Sequence, residues 1–378
     1  MGLLVKRFVV ILIFLFFVAN TNAQEELESD TSGVNRFVEK VMNVLTIDRE
    51  KYSITFFPTM TYSDEAGLAL GAFAAIILNE EEPASKSRYY RPTTLVPSIS
   101  YSTKSFLEFE SDFFRFTKTN WFIGSRIYLY KMPLFFYGIG EPSDSYSVYD
   151  QNTYSIFGSF LKSLHEYYFV GLKYDIGYVL NRNFEGDLLD NSITGYNGGY
   201  HGGIGLEARI DTRDDILFPG RGIYFSASVM EYGVDYSFDV TEFDLRLYHD
   251  VFSKKNILAF QALWTISGGN APYYKLPKLG GQNLLRSIDN SNKYIDKQKY
   301  LIQGEYRREF GGRFGAVAFA GFGQSAPKMD AFYLDDMVYM YGLGFRFRLL
   351  KHDKLNFRFD YGMGNGPAAI FMTIREAF

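Results

Sequence analysis

The chain contains no cysteine, which excludes disulfides, thiolate metal sites and a lipid-modified cysteine at a cleavage site. No stretch of it is apolar enough to cross a bilayer as a helix, which needs about 20 residues. Its mean hydropathy of −0.12 is also too low for a helical membrane protein. A formal charge of −4 offers no basic surface for nucleic acid. These absences leave two classes, a soluble protein and a transmembrane β-barrel.

Catalytic motifs are missing as well. The chain has no Gly-x-Ser-x-Gly nucleophile elbow, no His-Glu-x-x-His zinc motif and no phosphate-binding loop. Only four histidines are present, and none of them lies beside a recognisable nucleophile: His165, His201, His249 and His352. The sequence therefore predicts a protein that is not an enzyme and that holds no cofactor.

The first 51 residues predict an exported protein. Lys6 and Arg7 precede an apolar run, and the small-x-small pattern ending at Ala23 marks a cleavage site before Gln24. Residues 1–23 therefore predict a secretory signal peptide, with an uncleaved anchor as the alternative. Residues 24–51 predict a periplasmic segment, either a short amphipathic helix or a poorly ordered tail, and residues 52–378 predict one barrel domain.

Strict alternation of apolar and polar residues predicts the fold. In the stretch 343–349 the odd positions are Leu and Phe while Arg346 and Arg348 face the other way. In 355–362, Phe and Tyr alternate with Arg358 and Asp360. Aromatic residues make up 18% of the chain, which suits a lipid-facing wall with aromatic girdles. The sequence predicts an all-β protein, a single antiparallel β-barrel in the bacterial outer membrane, with lipid on one face and a water-filled lumen on the other.

About sixteen strands account for residues 52–378, an even number as barrels require. Long connections at 131–151, 181–197 and 269–296 all follow odd-numbered strands, so with periplasmic termini they are expected to be extracellular loops. The segment 79–91 is expected to be an unusually long periplasmic turn. The predicted strands are 52–61, 66–78, 92–103, 105–117, 120–130, 152–163, 166–180, 198–211, 220–233, 238–252, 255–268, 297–310, 313–325, 337–350, 353–365 and 368–378.

Four motifs follow one another in the second half of the chain, before the aromatic Phe378. The first is an Asp-Thr-Arg-Asp turn with a Pro-Gly-Arg-Gly sequence, and the second is a Gly-Gly sequence ending in an arginine. The third is Glu-Tyr-Arg, and the fourth is Phe-Ala-Gly-Phe-Gly. Their main positions are Asp211, Arg213, Asp214, Pro219, Arg221 and Gly222; Gly280, Gly281 and Arg286; Glu305 and Arg307; Gly321 and Gly323.

The order of these motifs resembles the C-terminal barrel of the Omp85 superfamily, the bacterial surface antigen (D15) type found in BamA- and TamA-like proteins. The resemblance implies a sixteen-stranded barrel whose sixth extracellular loop folds into the lumen. It also implies that an arginine at the loop tip, here Arg286, meets acidic residues on the inner wall. Since Glu305 faces the lumen on the next strand, we expect it to be the partner of Arg286 in a structural lock. Gly321 occupies the position of the family's second acidic residue, which predicts a lock with one carboxylate.

The first motif leaves two interpretations open. The carboxylates of Asp211–Asp215 suit calcium, but a polar turn at the periplasmic rim is favoured over a metal site. At the end of the chain, Phe378 is expected to act as an assembly signal on the closing strand, with Ile370, Met372 and Ile374 on the same lipid-facing side.

The resemblance implies a function in outer-membrane protein assembly or translocation. About thirty residues after the predicted cleavage site precede the first strand, so the periplasmic POTRA modules of BamA-like proteins are expected to be supplied by separate partners. The expected mechanism uses the seam between the first and last strands, where an unpaired edge would template incoming strands. The alternatives are a passive channel, a lipid-handling barrel, and a surface-exposed structural or adhesion antigen.

Overall fold

A computed structural model describes residues 45–63, 67–78, 93–102, 104, 106–311, 313–348 and 356–378. The predicted signal peptide, the predicted helix before residue 45 and the long turn at 79–91 lie outside these residues. The fold described below is that of the unit from Asp48 to Phe378. Among the described residues, no helix is long and apolar enough to span a membrane.

The described residues form seventeen β-strands and three short 3-10 turns. The strands are β1 (Thr46–Arg49), β2 (Tyr52–Ser63), β3 (Gly67–Leu78), β4 (Thr94–Ser102), β5 (Leu107–Phe116), β6 (Trp121–Phe136), β7 (Ser147–His165), β8 (Tyr168–Glu185), β9 (Gly198–Asp211), β10 (Gly222–Val234), β11 (Phe238–Asp250), β12 (Asn256–Gly269), β13 (Gln298–Gly311), β14 (Phe314–Ala326), β15 (Val338–Arg348), β16 (Asn356–Gly364) and β17 (Gly366–Ile374). The 3-10 turns are Tyr273–Lys275, Met329–Ala331 and Leu334–Asp336.

The sixteen strands β2 to β17 correspond one to one with the sixteen predicted strands. Each strand pairs with the next in antiparallel register, and β17 is followed by β2 in the strand order, which is therefore circular as in a barrel. The short strand β1 falls in the segment predicted as a helix or tail. The all-β, single-sheet architecture confirms the predicted fold class, and it is the architecture of a bacterial outer-membrane β-barrel.

Two predicted loops are shorter than expected because the strands on either side continue past the predicted ends. β6 and β7 pair as far as Phe136 and Ser147, so the loop predicted at 131–151 is reduced to 137–146. β8 extends to Glu185, which shortens the loop predicted at 181–197. The alternation of side chains persists through both extensions. A proline, Pro133, marks the first of them, and it still occupies a ladder position opposite Asp150.

The two faces of the sheet differ as the alternation predicted. On β15, Leu343 is 67% exposed on the outer face, whereas Arg346 on the inner face is 3% exposed. On β16, Tyr361 lies on the outer face and Arg358 and Asp360 are fully buried on the inner face. The prediction that these charges face a water-filled lumen was wrong for this part of the barrel. They are buried because the chain itself covers them from the inside.

Candidate functional site in the barrel interior

The long connection between β12 and β13, residues 270–297, folds against the inner wall of the barrel. Leu279, Leu285 and Ile288 of this loop are buried, and they pack in one apolar cluster with inner-wall residues of β12 to β15. The wall residues of this cluster are Leu263, Leu301, Val317, Phe319, Val338 and Met340. Burial of this many apolar side chains stabilises the inward position of the loop, since each fully buried one contributes about 1.5–3 kcal/mol.

The glycines of the second and fourth motifs give the loop its tight shape. Gly280 bridges to Leu285, and a side chain at Gly280 would come within 2.5 Å of Ile288. Gly281 has a φ of 121°, which residues with a side chain rarely adopt. Gly323 on β14 faces the loop at close range. A Cβ at this position would lie 2.8 Å from the Leu279 side chain.

Arg286 at the tip of the loop is fully buried between two carboxylates on different strands. Its Nη1 lies 2.7 Å from Glu305 Oε1 on β13 and 2.8 Å from Asp360 Oδ2 on β16. The guanidinium carbon stands 3.7 Å from the centroid of the Phe319 ring, a cation–π contact. The structure therefore brings together the two residues that the sequence paired, and it adds a third.

The second carboxylate, that of Asp360, comes from β16, a strand that none of the four motifs includes. Gly321, where the family pattern places an acidic residue, has no room for a side chain: a Cβ there would stand 2.8 Å from Gln303 Cβ and 3.0 Å from Met340 Cε. Met340 instead accepts a hydrogen bond from the backbone N–H of Arg286, at 3.0 Å from its sulfur. Asp360 supplies the missing charge, so the expectation of a single carboxylate was wrong.

A glycine on β16 lets the loop approach the wall this closely. A Cβ on Gly362 would overlap the carbonyl of Arg286, at a distance that real Cβ atoms do not reach. Gly364, two residues further on, faces the side chain of Ser287 in the same way. The backbone of the loop tip is thus in direct contact with the backbone of β16, which no sequence pattern had indicated.

Further ion pairs extend from this centre. Arg307 Nε lies 2.7 Å from Glu305 Oε2, and Arg346 Nη1 lies 2.6 Å from Asp360 Oδ1. Arg358 reaches back to the loop, donating from Nη2 to the Gln282 carbonyl at 2.7 Å and to Asn283 Oδ1 at 2.9 Å. Two arginine contacts therefore hold the second motif against β16. Arg286 of the loop pairs with Asp360, and Arg358 of β16 binds the Gln282–Asn283 segment of the loop.

The last four residues leave the sheet and turn inward. β17 ends at Ile374, and Arg375 adopts a φ of 73°, which reverses the side-chain alternation. Glu376 is consequently buried, 2.7 Å from Arg346 Nε, and Phe378 is 5% exposed against Tyr248. Phe378 does not continue the outward-facing row of the closing strand, which corrects the expectation that it shares a lipid-facing side with Ile374.

Comparison with known proteins supports the fold but gives low sequence similarity. No protein-family profile and no curated protein sequence matches the chain. Among solved structures, BamA from Haemophilus ducreyi lacking POTRA domains 1–3 is similar with a TM-score of 0.55 and 13% identity, over 87% of this chain and 70% of that one. CdiB from Escherichia coli gives a TM-score of 0.55 at 10% identity, and CdiB from Acinetobacter baumannii gives 0.54 at 10%.

The fold is similar to the barrels of BamA and CdiB. Each match covers 87% of this chain, but the chain spans only 60% and 62% of the lengths of the two CdiB proteins.

The first motif forms the turn between β9 and β10. Asp211 pairs with Arg213 in fork geometry, with Oδ1 2.9 Å from Nε and Oδ2 2.8 Å from Nη2. Asp214 accepts the backbone N–H groups of Gly220 and Arg221, and Pro219 is buried. The carboxylates thus serve the turn, and no group of three or more potential metal ligands is found among the residues that the structure describes.

The remaining first-motif residues complete this turn. Arg221 pairs with Asp250 at 2.5 Å, which ties the turn to the end of β11. Gly222 has a φ of 112°, a conformation that favours glycine at the start of β10.

A second contact holds the N-terminal end of the inward loop. Lys275 Nζ lies 2.7 Å from Asp175 Oδ2 on β8, and the Tyr232 hydroxyl donates to the same oxygen at 3.0 Å. His201 on β9 is buried, with Nε2 3.2 Å from Asp175 Oδ1. The sequence did not predict this cluster, because its four members lie on separate strands and loops and share no motif.

Proposed function

We propose that this Omp85-like barrel acts in outer-membrane protein assembly or translocation, working with separate periplasmic or POTRA-bearing partners. The observation that carries the proposal is the sparse contact between β17 and β2. Among the residues that the structure describes, these two strands make fewer contacts with each other than any other neighbouring pair in the order β2 to β17.

Two features of the chain weaken the pairing of β17 with β2 at this seam. The chain turns inward at Arg375, so residues 375–378 do not extend β17 alongside β2. Each seam strand also contains a proline, Pro58 in β2 and Pro367 in β17, and proline has no backbone N–H to donate to a neighbouring strand. Weakly paired edges expose hydrogen-bonding groups that can recruit an incoming strand, which is the chemistry that strand templating requires.

The inward loop fits this role better than it fits a passive channel. Its buried ion pairs and apolar cluster connect β12 to β16, the half of the barrel that ends at the seam. A rigid wall on that side would hold β17 in place while the seam opens. The same loop occupies lumen space that a wide pore would need, so the passive channel is the weaker alternative.

A reversible cross-link across the seam tests the proposal. Since the chain has no cysteine, pairs can be introduced on the outer faces of β2 and β17, combining Ile54 or Phe56 with Ile370 or Met372. We expect oxidation to stop assembly of other outer-membrane proteins in cells that depend on this chain, and a reductant to restore it. The matched control joins Ala262 to Ile302, which are register partners on β12 and β13.

Two results would count against the proposal. Full assembly activity with the seam cross-linked would exclude a mechanism based on seam opening. Native purification from outer membranes in mild detergent, followed by mass spectrometry, addresses the partners: recovery of the barrel alone would favour a channel or surface role, and conductance would then be measured.

A further inference from the structure

A groove crosses the outer face of the barrel from β10 to β14. Its volume is about 700 Å³, which lies within the range of about 300–1,000 Å³ that is usual for ligand sites. Small residues form part of it, namely Gly304 of β13 with Ala318 and Ala320 of β14. The two alanines are exposed, and they are the register partners of Tyr306 and Gly304 respectively. The groove is therefore a depression in the surface that meets lipid.

Large apolar side chains stand beside these small residues. Leu247 of β11 and Leu258 and Phe260 of β12 line the groove, and each is between 37% and 48% exposed. Glu305 also borders the groove, but its side chain points into the barrel, where it pairs with Arg286. The outward-facing side chains of this part of the groove are thus apolar, as contact with a hydrocarbon chain requires.

Three basic side chains lie at the end of the groove that is nearest the short turns. Arg308 is exposed on β13, two residues after Tyr306 and on the same face. Lys254 and Lys255 are exposed in the turn between β11 and β12. Asn256, which begins β12 directly after this turn, is the register partner of Arg308. The three cations therefore occupy one part of the barrel rim.

The acidic residues at the ends of β11 and β13 are already paired. Glu309, which follows Arg308, faces inward and pairs with Arg348, and Asp250 pairs with Arg221. Within the part of the chain that the structure describes, no carboxylate lies within 4.0 Å of any of the three cations. This rim consequently presents positive charge that complements a phosphate group.

Exposed aromatic residues indicate that this rim lies at the membrane interface. Phe310 of β13 is 61% exposed and Phe252 in the β11–β12 turn is fully exposed, and barrels place aromatic girdles at both interfaces. From Arg308 to Gly304 the strand advances four residues, or about 13 Å. Half of the hydrocarbon core of a bilayer is about 15 Å thick. A lipid with its headgroup at Arg308 would therefore lay an acyl chain along the groove.

We propose that this groove binds an anionic phospholipid, with an acyl chain against Gly304, Ala318 and Ala320 and the phosphate at Arg308. Lys254 and Lys255 supply further positive charge for the headgroup. A zwitterionic phospholipid would make the same apolar contacts, but it would leave more of the positive charge of the rim uncompensated. The site therefore favours a headgroup with a net negative charge.

Native mass spectrometry of the full barrel tests the proposal on the unaltered protein. The barrel is released from nanodiscs that contain equal amounts of phosphatidylglycerol, which is anionic, and phosphatidylcholine, which is zwitterionic, with the same acyl chains. We expect phosphatidylglycerol to remain bound in an excess of about fivefold or more, the factor that one cation near an anionic lipid contributes. Equal retention of the two lipids, or loss of both, would overturn the proposal.

Variants at the two ends of the groove locate the lipid. Arg308→Gln should lower the excess of phosphatidylglycerol by about fivefold, and Lys254→Gln combined with Lys255→Gln should lower it as well. Ala320→Phe fills the groove and should reduce the amount of phosphatidylglycerol that stays bound. Unchanged retention in both Arg308→Gln and Ala320→Phe would contradict a lipid at this groove.

Each kind of variant has a matched control. Lys328→Gln removes an exposed cation from the connection between β14 and β15, at the other end of β14. Ala227→Phe adds the same ring to the outer face of β10 outside the groove. Both controls should retain phosphatidylglycerol as the unaltered protein does, and a loss equal to that of the groove variants would contradict a defined site. Heat-modified gel mobility checks that each variant is folded. None of these measurements requires assembly activity, so the lipid site and the proposed function can fail separately.

Discussion

Arg346 Nε lies 2.7 Å from Glu376 Oε2, so a residue that simple alternation would place against lipid forms an ion pair inside the barrel. The left-handed backbone at Arg375 makes this possible, and Asn356 Nδ2 donates to the other carboxylate oxygen at 2.9 Å. The same turn ends β17 and directs Phe378 inward. The backbone conformation at Arg375 thus connects the buried charge network to the end of β17, the last strand at the seam.

The contact between Arg286 and Glu305 should be measurable as coupling. We expect Arg286→Ala and Glu305→Ala each to destabilise the folded barrel by about 3–5 kcal/mol, because each removes one charge from a buried network and leaves the opposite charges only partly compensated. The double variant should be no worse than the single ones, as measured by urea unfolding and heat-modified gel mobility. Strict additivity would mean that the two residues do not interact. Lys328→Ala with Asp330→Ala, an exposed pair, should show little effect and little coupling.

Asp360 should matter as much as Glu305. Asp360→Asn keeps the shape of the side chain but removes the charge that faces Arg286 and Arg346, so we expect a destabilisation similar to that of Glu305→Gln in the same urea assay. Adding Gly321→Asp should not restore the stability lost in Asp360→Asn, because Met340 occupies the space that a side chain at position 321 would need. Rescue would show that the wall position at 321 can hold the second carboxylate after all.

Gly362→Ala should displace the inward loop without removing any charge. The new methyl group would collide with the Arg286 carbonyl, so we expect faster protease cleavage within residues 270–297. Gly233→Ala is the matched control, because a Cβ there would meet no atom within 4 Å. Equal cleavage of the two variants would argue against close contact between the loop tip and β16.

Phe378 can now be tested for two separable roles. A packing role for Phe378, which is buried against Tyr248, predicts that Phe378→Ala lowers the free energy of unfolding by about 3–5 kcal/mol. Phe378→Leu keeps most of the apolar volume, so a purely packing role predicts near-normal levels of heat-modifiable barrel in membranes. A C-terminal assembly signal that requires an aromatic residue predicts low levels for Phe378→Leu and normal levels for Phe378→Tyr.

The loop should become more stable as the pH rises above neutral. Burial, with the nearby charges of Lys275 and Lys299, lowers the pKa of Lys278 to about 8. Between that value and the ordinary lysine pKa of 10.5, the unfolded loop binds a proton that the folded loop does not, so stability rises with pH. Protease resistance of residues 270–297 measured across this range should increase, and Lys278→Met should flatten the dependence.

Local sequence patterns predicted the strands well, but they predicted the strand ends and the contacts of the inward loop less well. All sixteen long strands were predicted, because alternation with a period of two is a property of consecutive residues. The extensions of β6 beyond Tyr130 and of β8 beyond Leu180 were missed, since the polar and proline residues in them resemble loop sequence. The pairing of Arg286 with Glu305 was predicted from motif order and strand parity. Asp360 and Gly362 were missed because they act on a loop about 75 residues away, and no spacing rule connects them.

The sequence by itself determined the fold class of this protein, because aromatic and aliphatic residues alternate with polar ones along sixteen strands, which is typical of a membrane-spanning barrel. It also determined which side chains on β15 and β16 face inward, because parity along a strand follows from the backbone alone. Only the tertiary structure decided what those inward side chains meet. A loop and the last four residues cover the arginines and carboxylates, so groups expected in water became a buried network, and contacts of that kind depend on the register of strands distant in sequence.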